Sequence, residues 1–171
     1  MAIDEAALQR LLDRESIRDS LIRYSRGLDR HDTEIVVSAF HPDAVDTHGR
    51  FEGGPEELAE WGNREHAKRW LAHNHYLGNT SFDFDGDVCH TETYVLVVQR
   101  REDETGDDVL GGRYIDRFEK REGEWRIARR VLLLDWTGEL PLTRERSRRL
   151  LEVYSTGRWD RDDLSYARPL A

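Results

Sequence analysis

The chain has 171 residues, a formal net charge of −9 and one cysteine, Cys89. That length suits one domain with a real hydrophobic core, and the acidic balance argues against a nucleic-acid surface, which needs a basic face to displace counterions. A lone cysteine excludes a disulfide framework or a thiolate metal cluster built within one chain. From Ala6 to Leu28 the apolar residues recur at helical spacing: Leu8, Leu11 and Leu12, then Ile17, Leu21, Tyr24 and Leu28. This helix is expected to end near "LDRHDT", where Asp32 or Thr33 can cap a shorter helix running through Phe40. Pro42 marks the exit into a short hairpin, "AVDTHGRFEG", that turns near Gly49. "GGPEELAEWGNREHAKRWLA" restarts a helix, with Pro55 in its first turn and Leu58, Trp61, Trp70 and Leu71 on its buried side.

After His75 the character changes to long antiparallel strands, with "DGD", "DETGDD" and "REGE" as the turns between them. Helices first and an antiparallel sheet after them is the order of an α+β domain. The expected architecture is a cone-shaped barrel, with N-terminal helices packed on a strongly curved antiparallel β-sheet. Residues 1–136 are assigned to that domain, and 137–171 to a C-terminal tail with a short helix, "TRERSRRLLEVY". The acidic N-terminus "MAIDEAALQR" lacks the hydrophobic stretch of a signal peptide, and runs such as "VLLL" at 131–134 are too short for a bilayer. The expectation is a soluble, cytoplasmic protein without membrane contact.

Polar residues on inward stripes are the candidates for a site. Asp29 lies four residues after Ser25 and seven after Ile22, so it continues one edge of the first helix's apolar face. It is either a helix-end carboxylate turned to water or a buried acid that needs a partner. Tyr24 lies just over one turn earlier, as core packing with its hydroxyl at the rim. His73 and His75 fall in "AHNHYLGN", which reads as a helix-to-strand junction. Two apart on extended backbone they point the same way, as a pair of metal ligands does, but no third ligand is in sight: Cys89 and His90 are adjacent and face opposite sides of a strand. No metal and no cofactor are therefore expected, and a histidine satisfied by a backbone carbonyl is the plain alternative. In "EWRIARRVLLLDW", alternation puts Ala128, Arg130, Leu132 and Leu134 on one face and Trp125, Ile127, Arg129 and Val131 on the other. Arg130 among leucines calls for a carboxylate. An acid, a histidine and an arginine on three separate elements are complementary: the acid orients the histidine, and the arginine holds the acid ionised.

"IRDSLIRYSRGLDRHDTEIVVSAFHPDAV", then "HNHYLGN", then "GGRYIDRFEKREGEWRIARRVLLLDW" together resemble the SnoaL-like group of the nuclear transport factor 2-like superfamily, over roughly residues 8 to 136. The pattern is nearest to scytalone dehydratase, bile-acid 7α-dehydratase and hexachlorocyclohexane dehydrochlorinase. The resemblance implies a catalytic Asp29 in "GLDRHD", a catalytic His75 in "HYLGN", and supporting roles for Tyr24 and Arg130. One departure stands out: the second pocket histidine of scytalone dehydratase has no match in "ETYVLVVQRR", which makes scytalone itself a poor candidate substrate. The implied activity is a cofactor-independent lyase, a dehydratase-type elimination with an Asp–His base, on a small hydrophobic cyclic, terpenoid or aromatic molecule. Tyr94, Tyr114, Leu132, Leu134 and Trp61 are the candidate substrate-binding residues. An isomerase or polyketide cyclase would use the same dyad. The family also holds non-catalytic assembly subunits of the dioxygenase small-subunit kind, in which the same residues form a structural network. A homo-oligomer, dimer or trimer, is expected, with Trp125 and Ile127 on the sheet's outer face available for packing on another subunit.

Overall fold

The computed structural model describes residues 4–141 and 149–169. Helix α1 spans Glu5–Arg30. Asp4 caps it by accepting from the amides of Ala6 and Ala7, and His31 ends it with a left-handed backbone at φ 52°. The stripe Ile17, Leu21, Tyr24 and Leu28 is buried at the expected spacing. The first turns are not: Leu8, Leu11 and Leu12 stay exposed, so core contact begins at Ile17. Asp32 then accepts from the Ile35 amide at 3.2 Å and starts α2, Thr33–Ser38. This helix stops before Phe40, which instead opens strand β1, Phe40–His48. Where α1 crosses α2, a Cβ on Gly27 would stand 2.6 Å from the Val36 backbone nitrogen, so the close approach requires glycine.

Strand β2, Phe51–Gly53, returns along β1 and leads into α3, Pro55–Ala67. Pro55 sits in the first turn, and Glu57 accepts from the Gly54 amide at 3.0 Å. The helix is shorter than its sequence pattern. Trp70 and Leu71 open strand β3, Trp70–Asp85, which pairs antiparallel with β4, Val88–Arg101, with register shifts between Trp70 and Ala72 and between Leu77 and Thr80. "AHNHYLGN" therefore lies inside a strand. Cross-strand pairing of this aromatic-rich segment overrides its weak helical periodicity.

Strands β5, Gly106–Arg121, and β6, Glu124–Pro141, complete a six-stranded sheet ordered β2-β1-β6-β5-β4-β3. All its pairs are antiparallel except β1 with β6. The sheet does not close, since β2 and β3 remain its edges. Strand β6 runs to Pro141, past the boundary expected at 136. Half of the expected tail helix, 143–148, lies outside the described residues, and of the described half only 149–151 are helical.

A bulge corrects one expectation. Arg117 pairs with Arg129 but Phe118 pairs with Ile127, so Ala128 has no partner and the alternation of β6 slips by one residue. Trp125 and Ile127 thereby turn inward and join the core, 2% and 0% exposed, on the same side as Arg130. They are not available to pack on another subunit. The core they join also holds the α1 stripe, Val36, Phe40, Leu58, Tyr114 and Phe118. This core fixes α1 over the concave side of the sheet.

Candidate active site

The end of α1 meets the start of β3 at Asp29. The Asp29 carboxylate accepts from the His75 backbone amide at 3.1 and 3.2 Å and lies 2.6 Å from His75 Nδ1. Both side chains are nearly covered, 13% and 5% exposed. An Nδ1–H donated to the carboxylate leaves Nε2 as the acceptor nitrogen, and the ring lines a cavity of about 660 Å³. Asp29 belongs to the last turn of a 26-residue helix. The negative end of that helix dipole favours a cation nearby, so it too supports a proton arriving on His75.

His73, two residues earlier, is a separate case. It is 2% exposed, and its Nε2–H donates to the Leu28 carbonyl at 2.8 Å, as the plain reading of a core histidine requires. Around it gather residues that the sequence keeps far apart. The His66 ring lies 4.2 Å from that of His73, His31 stacks at 5.3 Å, and Trp159 of the tail stacks on His31 at 4.1 Å. The tail is pinned there by Tyr166, whose hydroxyl donates to Asp32 at 2.8 Å, and by Asp163 beside Arg30 at 3.4 Å. One ring nitrogen from each of His31, His66 and His73 lies within 4.8 Å of the others, and Asp29, His73 and His75 form a second such group. Among the described residues, these are the sets that could hold a metal. In the second set, the Leu28 and Asp29 hydrogen bonds already occupy His73 Nε2 and His75 Nδ1.

Burial, helped by the neighbouring imidazoles, lowers the His66 pKa to about 2 and those of His31 and His73 to about 4. Unfolded histidines titrate near 6.5. Between that value and the folded ones, the unfolded chain binds protons that the folded chain refuses, so stability is lost as pH falls below about 6.5. Thermal melts should therefore shift downward from pH 7.5 to pH 5, and His66→Asn should flatten that slope. Equal melting points at the two pH values in the parent protein would count against a neutral cluster.

The remaining expectations divide. Trp61, Tyr114, Leu132 and Leu134 line the cavity with His75. Tyr94 does not: it is 52% exposed on the other face of the sheet, near Tyr76 and Trp136, because strand alternation pairs it away from Val95. Tyr24 is fully buried, with its hydroxyl unpartnered and its ring against Arg130 at 4.2 Å. Burial holds that phenol well above its usual range, so it stays protonated. Arg130 is placed inward as expected, but its carboxylate is Asp116, gripped through Nε and Nη2 at 2.7 Å each, and not Asp29. Neither Tyr24 nor Arg130 lines the cavity. Cavity residues that sequence reasoning missed include His48, His66, Trp70 and Gln99. A period-two reading of "AVDTHG" would have found His48, since Ala44, Asp46 and His48 share a face of β1.

Residues 9–131 match the SnoaL-like domain family. The chain belongs to that family. Its fold recurs in hexachlorocyclohexane dehydrochlorinase type 3 from Novosphingobium barchaimii, at 23% identity over 78% of this chain and 94% of that one, TM-score 0.72. It recurs in a protein of Novosphingobium aromaticivorans provisionally named a scytalone dehydratase, at 23% identity over 78% and 91%, TM-score 0.68. A nuclear transport factor 2-like superfamily protein from Salmonella enterica aligns at 18% identity over 73% and 92%, TM-score 0.65. Comparison with curated proteins gives no sequence match. Among the described residues of this SnoaL-like protein, no helix is long and apolar enough to cross a membrane.

Proposed function

We propose that the protein is a lyase that works without a cofactor, eliminating a leaving group from a small hydrophobic cyclic or aromatic molecule. The observation that carries this reading is the Asp29–His75 hydrogen bond at 2.6 Å, with the His75 ring on the wall of the cavity. Neutral His75 takes a proton from carbon beside a carbonyl or a leaving group through Nε2. The Asp29 carboxylate steadies the imidazolium that forms. Trp61, Leu132, Leu134 and Val95 give the cavity an apolar lining suited to a ring system. Fold relatives named as a dehydrochlorinase and a dehydratase support the reaction class. The exposed Tyr76, Tyr94 and Trp136 on the opposite face of the sheet are where we place the contact between copies of the chain.

The test is deuterium wash-in from D2O at the carbon beside the carbonyl of a cyclic ketone, read by mass spectrometry. His75-dependent exchange supports the lyase. Tight ketone binding with no exchange would favour a binding subunit instead. Removing metal is a second check: chelator-treated protein should keep its full exchange rate, whereas loss on treatment and recovery with zinc would move the chemistry to His31, His66 and His73.

A further inference from the structure

Behind the cavity wall, where β1 meets β6, lies an unbalanced carboxylate. Among the described residues there, Asp46, Asp116 and Arg130 are buried, at 1%, 2% and 0% exposed. Arg130 spends its two hydrogen-bonded nitrogens on Asp116, so one negative charge is compensated. Asp46 pairs in register with Arg130 across β1 and β6, yet neither of its oxygens has a hydrogen-bond partner. The other polar groups around it, Tyr24 and Tyr114, are buried phenols that stay neutral. A buried carboxylate without a counter-charge or a proton is strongly disfavoured. The group that can supply one is His48, whose Nδ1 lies 3.6 Å from Asp46 Oδ1 and is likewise buried without a hydrogen bond. Two residues apart on β1, Asp46 and His48 share a face, and the His48 ring lines the cavity beside Trp61, ring centroids 5.9 Å apart.

We infer that Asp46 and His48 form a second Asp–His pair, which serves as the general acid for elimination, and that the substrate class is a β-hydroxy carbonyl compound. The inference rests on the proposed lyase reading, with His75 as base. In the form that acts as the acid, His48 has a proton on each ring nitrogen. Nδ1–H turns to Asp46, closing the 3.6 Å gap by a small ring rotation, as unliganded acid–base contacts often need. Nε2–H faces the cavity. His75 accepts the α-proton, the carbon–hydrogen electron pair becomes the new double bond, and the bond from carbon to hydroxyl breaks. The departing oxygen takes the Nε2 proton of His48 and leaves as water. One proton has then moved from His48 to His75, and exchange with solvent at the cavity mouth restores both. Hydroxide is a poor leaving group and needs that proton. Chloride leaves without it, so a site built only for dehydrohalogenation would have no use for the second pair.

The experiment compares 3-hydroxycyclohexanone with 3-chlorocyclohexanone, using the parent protein, His48→Gln and Asp46→Asn. The ratio of hydroxyl to chloride elimination should fall about 100-fold in His48→Gln, the usual scale of a positioned acid. Asp46→Asn should lower the same ratio. Equal losses on both ketones would overturn the acid role. No α-deuterium exchange into either ketone by the parent protein would instead bring down the lyase reading itself, and this proposal with it.

Discussion

His75→Ala is expected to lose at least about 100-fold in turnover on any substrate the protein eliminates, the scale of a positioned general base. Asp29→Asn should lose a similar amount for a different reason. It keeps the shape but removes the charge that favours the imidazolium, and its amide can select the wrong imidazole tautomer. The hydrogen-bond geometry sharpens this expectation. Asp29 accepts from both the His75 side chain and the His75 backbone amide, so one carboxylate fixes the position and the tautomer of the base together. An asparagine can still accept from the amide through its carbonyl oxygen, which isolates the loss of charge from the loss of position. The double variant should be little worse than either single one, because residues that act as one unit are not additive. Stability should move less, since a polar pair at a cavity wall contributes on the order of 1–2 kcal/mol. Early melting of both variants with unchanged activity per folded molecule would show a structural network and favour the binding-subunit reading.

The Asp29–His75 pairing was legible because both partners sit where local rules are strong. Asp29 follows the stripe of a long helix, and His75 lies on extended backbone with its side chain's direction set by alternation. The family resemblance then supplied the contact that spacing could not. The histidine cluster was not legible. His31 is placed by a left-handed helix end, His66 by the last turn of α3 and Trp159 by a tail docked through Tyr166, and none of these leaves a periodic trace. The face of Trp125 and Ile127 was misread for a single cause. A one-residue bulge at Ala128 reverses alternation locally, and composition does not announce a bulge. The partner of Arg130 was hidden in a similar way. Asp116 reaches it only because β5 and β6 pair in this register, Asp116 opposite Arg130, which no pattern within either strand specifies.

Arg130→Met should be the most destabilising of the substitutions considered. The guanidinium is fully buried, holds Asp116 through two bonds and lies between the rings of Tyr24 and Tyr114, at 4.2 and 4.1 Å. Methionine keeps much of the volume against those rings but leaves the Asp116 carboxylate buried without compensation. Removing one partner of such a pair costs about 3–5 kcal/mol, which for a domain of this size lowers the melting temperature by roughly 6–20 °C. Adding Asp116→Leu removes the orphaned charge, and replacing a buried ion pair by apolar residues is often neutral. The double variant Arg130→Met/Asp116→Leu should therefore recover most of the loss. The same pair of proteins tests the role that family resemblance implies for Arg130. A structural arginine predicts that the rescued double variant also regains turnover, because Arg130 stands behind the cavity wall and never meets substrate. A double variant that melts like the parent but stays about 100-fold slower would instead return Arg130 to the chemistry, through its unpartnered Nη1.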